Sequence, residues 1–125
     1  MKRAFIFTAI CFFWSSPLQA KEDCENPITQ TAMNICSYEE YKKADEALNT
    51  IYQKALEHLE KEEKEAFREN QRAWITYRDL TCAFETRGKE SGGTIWPLIG
   101  NSCMTRLTKQ RTEEIPYIFL DGTLQ

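Results

Sequence analysis

The chain has a single histidine, His58, and no CxxC pair among its 125 residues. Protein zinc sites draw on clustered His and Cys ligands, so there is little here to build a metal centre from. No GxSxG nucleophile elbow, no GxxxxGK[ST] phosphate loop and no HExxH helix occurs. His58 stands amid Glu57, Glu60 and Glu62, a charged setting that suits a general base poorly. Glycoside cleavage needs two carboxylates at a set separation, and no spacing among the 19 acids singles out a pair. Internal repeats, a Gly/Ser linker and period-two alternation are absent as well. These gaps argue against an enzyme, and no cofactor or metal is expected. They also leave an all-α fold for one domain spanning residues 21–125.

What is present begins with a leader. Lys2 and Arg3 precede residues 4–14, which are apolar throughout except for Thr8, and Leu18-Gln19-Ala20 supplies a small residue at a cut site. About 7–15 apolar residues make a secretory signal, whereas a membrane span needs about 20. Residues 1–20 are therefore expected to be a signal peptide cleaved after Ala20, which would send the protein to the periplasm with no membrane span. Lipoprotein processing at Cys11 is the competing reading. The bulky Ile10 and the short apolar run before Cys11 count against it. Cleavage removes Lys2 and Arg3 but none of the acids, so the net charge moves from −3 to about −5. That balance disfavours nucleic acid, whose phosphates demand Lys/Arg clusters, and favours encounter with basic proteins.

Cys11 leaves with the leader, so the mature chain keeps Cys24, Cys36, Cys82 and Cys103. Four cysteines in a small exported domain read as two disulfides with three possible pairings. Order along the chain favours Cys24–Cys36 and Cys82–Cys103, each closing a short loop worth about 3 kcal/mol.

Helical periodicity accounts for most of the rest. Asn26-Pro27 looks like a start, with a short helix following over residues 29–36. Ser37 and Glu40 have capping-box spacing. Behind them Tyr41, Ala44, Leu48, Ile51, Tyr52, Ala55 and Leu59 recur with helical period. A bend is expected near 61–64. Phe67, Asn70, Trp74, Tyr77, Thr81 and Phe84 then resume the stripe, forming an antiparallel hairpin with the first rod. Residues 88–97 hold three glycines and a proline and predict a loop. A third helix is expected over 98–114, stopped by Pro116, with residues 117–120 packing back on the bundle.

The segment Glu69-Asn70-Gln71-Arg72-Ala73-Trp74 continuing to Cys82 carries an unusual polar load. At about 100° per residue, Arg78 and Gln71 flank the apolar stripe around Trp74, while Arg72 and Asp79 point away. A partly buried guanidinium must be paired. Asp45, with Asn49, is the expected partner across the hairpin for Arg78 and Gln71, so the segment is a structural network rather than a catalytic site.

Several segments occur in a recognisable order. Thr29-Gln30, Met33-Asn34-Ile35-Cys36, Ala44-Asp45, Leu48-Asn49 and Tyr52 come first, and Gln71-Arg72-Ala73-Trp74-Ile75, Tyr77-Arg78-Asp79 and Cys82 follow. Gly92-Gly93-Thr94-Ile95, Pro97, Cys103, Leu107-Thr108 and Arg111 complete the set. The pattern resembles the LprI-type, lysozyme-inhibitor-like family of small exported bacterial proteins over residues 24–114. One departure is Ala32, where family members often carry glutamate before the Met-Asn pair.

The resemblance implies an all-helical exported domain and, in the member that names the family, inhibition of lysozyme. An acidic domain is steered toward a basic lysozyme, and a stapled loop can block a cleft lined by carboxylates. Arg87, Lys89, Ser91, Gly92, Gly93 and Thr94, inside the Cys82–Cys103 loop, are the candidate binding residues. The plainer reading of the same segment is a glycine turn that lets Trp96 and Pro97 pack. A periplasmic interaction or envelope-stress module with a different partner is the alternative function. The sequence assigns no oligomeric state.

Overall fold

The computed structural model describes residues 24–118. The signal-peptide assignment and the packing expected of Phe119 and Leu120 lie outside the described residues. Three α-helices, α1 (Gln30–Glu57), α2 (Lys61–Glu85) and α3 (Trp96–Ile118), follow one another, with a 3-10 turn at Arg87–Ser91 before the last. Among the described residues there is no strand, as an all-α chain requires.

The first helix is continuous where a break was expected at Ser37. Residues 33–41 contain neither glycine nor proline, so nothing interrupts the backbone ladder. The Ser37 hydroxyl donates back to the Asn34 carbonyl at 2.9 Å, an in-helix bond in place of a cap. The true cap is Thr29, not Asn26: its hydroxyl oxygen accepts from the Ala32 N–H at 3.0 Å. The chain reverses over residues 58–60, slightly ahead of the expected bend. The His58 ring Nδ1 donates to the Lys54 carbonyl at 2.8 Å, closing the end of α1. The Glu60 N–H then donates to the Glu63 carboxylate at 2.9 Å, so the reciprocal capping signal belongs to Glu60 and Glu63.

The helices run up, down and up. Tyr52 stacks on Phe67 at 5.3 Å between ring centroids, and Asp45 lies level with Arg78, so α1 and α2 are antiparallel. Asn34 and Ser37 meet the start of α3, and Glu40 meets Lys109, so α3 runs parallel to α1. The backbones of α1 and α3 approach most closely. Ala32, Ala44 and Ala55 lie buried on α1 and lack the bulk to hold a neighbouring helix away. Side chains rather than backbones join α1 to α2.

The core is split. Leu48, Ala55, Phe67 and Ile115 form one cluster toward the α1–α2 turn, with Ile51, Tyr52, Leu56, Leu59 and Trp74 around it. Cys82, Cys103 and Leu107 form a second at the other end, with Met104 packed on it. The inward face of α2 comprises Phe67, Gln71, Arg78 and Cys82. It is rotated about 45° from the stripe centred on Trp74. The rotation turns Tyr77 and Phe84, expected inside, out to solvent. The Cys82–Cys103 bond is the physical cause, because it fixes the Cys82 side of α2 against α3.

Pro116 does not stop α3, which begins two residues earlier than expected and continues to Ile118. Proline's φ is already helical, so one missing N–H in the last turn removes one bond without breaking the turn. Tyr117 and Ile118 are exposed and do not pack back on the bundle.

The cysteines pair as Cys24–Cys36 and Cys82–Cys103, with sequence separations of 12 and 21. Cys82 and Cys103 are both buried, whereas Cys24 lies exposed ahead of α1. Replacing Cys82 and Cys103 together by serine is expected to cost about 3 kcal/mol. For a domain of this size that lowers Tm by roughly 10–20 °C. Thermal melts followed by circular dichroism check this, and thiol titration of the unmodified exported protein should find no free sulfhydryl.

Candidate functional site

Between the two apolar clusters lies a polar layer. Arg78 on α2 and Arg111 on α3 are 8 % and 4 % exposed, and the Trp74 ring of α2 lies near both. The guanidinium carbons lie 5.2 Å and 5.8 Å from the Trp74 ring centroid, and that of Arg78 also lies 5.9 Å from Tyr41. Cation–π contacts of this kind contribute about 1 kcal/mol or more once water is excluded.

Both guanidiniums are hydrogen-bonded as well. The Arg111 Nε donates to the Gln71 side-chain oxygen at 3.0 Å, one Nη donates to the Glu114 carboxylate at 2.8 Å, and the other meets Asn70. The Arg78 Nε and Nη2 reach the Asp79 carboxylate at 2.9 and 2.8 Å. Asp45 approaches the remaining Arg78 nitrogen only to 3.9 Å, and Asn49 donates to its other oxygen at 3.1 Å. Asp45 thus faces Arg78 as the wheel predicted, yet it is the lesser partner.

Two sequence expectations are corrected here. Gln71 pairs with Arg111 and not with Asp45 or Asn49, because α3 fills the side of α2 on which Gln71 lies. Arg78 and Asp79 do not diverge. The long arginine side chain bends back, and its guanidinium meets a carboxylate whose backbone position points elsewhere. Arg111 was missed as a member of the network. The signal available for it was the adjacent pair Asn70-Gln71, two amides whose oxygens need a donor.

Burial raises the Tyr41 hydroxyl above its ordinary pKa, while the charge of Arg78 pulls in the opposite direction. The phenol therefore stays protonated at neutral pH and offers no base. Among the described residues no group of three or more His, Cys, Asp or Glu is arranged to hold a metal ion. No helix among them is long and apolar enough to cross a membrane. The polar layer satisfies buried charge by pairing Arg111 with Gln71, Asn70 and Glu114, and Arg78 with Asp79.

The second candidate site is the connection from α2 to α3. Arg87 stacks on Phe84 at 4.3 Å and donates to the Phe84 carbonyl at 2.9 Å. Gly92 and Gly93 have φ of 83° and 104°, a region that favours glycine. Gly92 presents its carbonyl to the Trp96 ring N–H at 2.8 Å. Gly88 packs so near Trp96 that an added Cβ would stand 2.6 Å from the ring. Asn34 of α1 donates to the Thr94 carbonyl at 2.8 Å, and the Cys82–Cys103 bond closes the base. Lys89, Ser91, Gly92, Gly93 and Thr94 are exposed on this anchored loop. The glycine turn lets Trp96 pack but leaves Pro97 exposed, and the same turn presents a row of polar groups.

Among the motif residues recognised in the sequence, the cysteines pair with one another and Asn34, Trp74, Arg78 and Arg111 take part in contacts between helices or with the loop. A family model described as "Lysozyme inhibitor LprI" matches residues 21–115. The chain belongs to the LprI family. It is 33 % identical over 113 residues to an uncharacterized protein, R02472, of Rhizobium meliloti (strain 1021), with 78 % of each chain covered. No solved structure matches the chain. In this LprI-family chain the 71–82 motif supplies Gln71, Trp74, Arg78 and Cys82, all turned toward α1 or α3.

The bonding pattern ranks the network. Arg111→Ala strands two side-chain amides and opens a cavity, at a cost of about 3 kcal/mol, so Tm should fall by roughly 10–20 °C. Asp45→Ala removes a long contact from a guanidinium that keeps Asp79, so it should cost under about 1 kcal/mol and lower Tm by at most about 5 °C. Parallel thermal melts of the two variants test the order.

Proposed function

We propose that this domain binds a basic lysozyme and obstructs its cleft with the loop formed by Arg87, Lys89, Ser91, Gly92, Gly93 and Thr94. Membership of a family described as lysozyme inhibitors carries the reading. The loop geometry supports it. An interface made from a segment already held by a disulfide, an indole and an asparagine loses little conformational entropy on binding.

The chemistry suits the target. A lysozyme cleft cuts its sugar chain with an acid and a carboxylate. Two cations beside serine and threonine hydroxyls are donors for such groups. The acidic balance of the whole mature chain, about −5 after removal of the leader, favours encounter with a basic enzyme. Two disulfides fit an oxidising compartment, and export to the periplasm is part of the same proposal. There the domain would meet incoming lysozyme before peptidoglycan is cut.

Purified mature protein at micromolar excess is expected to slow lysis of a bacterial suspension by at least one class of lysozyme, measured by turbidity. Replacing Arg87 and Lys89 together by alanine should weaken the block by roughly tenfold or more while leaving the melting curve in place. No slowing with any lysozyme would favour the alternative, an envelope interaction module with another partner.

A further inference from the structure

The side of α2 turned away from the core is apolar. Ala66, Ala73, Tyr77, Leu80 and Phe84 fall within about 60° of arc on the helical wheel and extend for about 27 Å. All five are exposed, Tyr77 at 58 %, Leu80 at 68 % and Phe84 at 66 %. A solvated helix face ordinarily carries charge or amide at such positions. Here a heptad-like seam stands uncovered by α1 and α3.

We propose that this seam pairs with the α2 seam of a second copy of the chain, in an antiparallel contact with two-fold symmetry. Three observations select that occupant. The first is self-complementarity of size. With the two-fold axis level with residue 75, Ala66 faces Phe84 of the partner subunit and Ala73 faces Tyr77 of the partner subunit. Each ring then meets a methyl group, and by symmetry the same contacts recur on the other side.

Charge is the second observation. Glu62 lies at one end of the seam, and Arg87, stacked on Phe84, lies at the other. The antiparallel register brings Glu62 within one helical step of Arg87 of the partner subunit. A parallel register would set like charges together at both ends. The third is area. Tyr77, Leu80 and Phe84 together expose roughly 350 Å² of side chain, and the flanking alanines bring the seam to the lower end of specific interfaces. A reversible dimer with Kd on the order of 10 µM fits that size. Residues 89–94 of the two copies are left at opposite ends of the pair, and Arg87 alone is shared with the loop proposed to meet lysozyme.

Analytical ultracentrifugation of the oxidised mature protein between about 1 and 200 µM tests it. The weight-average mass is expected to rise toward twice the monomer value. Leu80→Asp should hold the chain monomeric across the range, with unchanged helical circular dichroism because the position is exposed. Phe84→Ala should weaken pairing roughly tenfold. Adding Ala66→Phe to that variant should restore it, since the ring is then supplied from the opposite side of the same contact. A monomer mass at every concentration, or a dimer that survives Leu80→Asp, overturns the proposal. Failure of the exchanged pair to restore association overturns the antiparallel register. If the chain stays monomeric and Leu80→Asp instead abolishes lysozyme binding, the seam serves that enzyme and self-pairing is wrong.

Discussion

Two guanidinium groups are held out of water near the middle of this bundle, and that requirement organises its surroundings. A buried cation is costly unless every donor finds an acceptor. Arg111 meets the demand with Gln71, Asn70 and Glu114, and Arg78 meets it chiefly with Asp79. Trp74 lies close to both guanidiniums and adds a cation–π contact to each. The arrangement explains why polar residues occupy inward positions in a short chain with few large apolar side chains to spare. It also fixes α3 against α2, because a guanidinium hydrogen-bonded across two helices tolerates less sliding than a hydrophobic contact.

Around that layer the apolar clusters supply most of the burial and the disulfides restrict the unfolded chain. The Cys82–Cys103 bond does two jobs. It closes the far end of the bundle, and it sets the rotation of α2, leaving Tyr77, Leu80 and Phe84 outside. The same bond closes the base of the loop that carries Arg87 and Lys89. Stability and display therefore share one covalent element. The LprI motif reads naturally in these terms: its tryptophan, arginines and cysteines hold the scaffold, while the glycines shape the loop.

Much of this was legible in the amino-acid order. Period-3.6 recurrence placed the helices, and the glycine-rich segment placed the connection. The cysteine count implied two staples. What misled were signals with more than one structural solution. Ser37 and Glu40 have capping-box spacing, yet without a nearby breaker the helix ran through them and Ser37 bonded to the turn before it. Pro116 marks a helix end only when the lost hydrogen bond outweighs the packing that continues past it. The stripe on α2 contained aromatics on two adjoining faces, and aromatic content alone did not tell which face was buried.

Asp45 and Arg111 show the division most clearly. Asp45 was found as a partner of Arg78 because both lie on neighbouring stripes of consecutive helices, a relation that local period can express. Arg111 lies 40 residues from Gln71 along the chain, and nothing local couples them. The sequence by itself determined the helical class, the approximate places of the rods, and the need to pair a guanidinium near Trp74. Tertiary structure alone decided which acceptor each guanidinium took and which face of α2 was left in water. Helix formation is governed by hydrogen bonds four residues apart. The rotation of a helix about its own axis is governed by whatever packs on it from far along the chain, here a third helix and a disulfide.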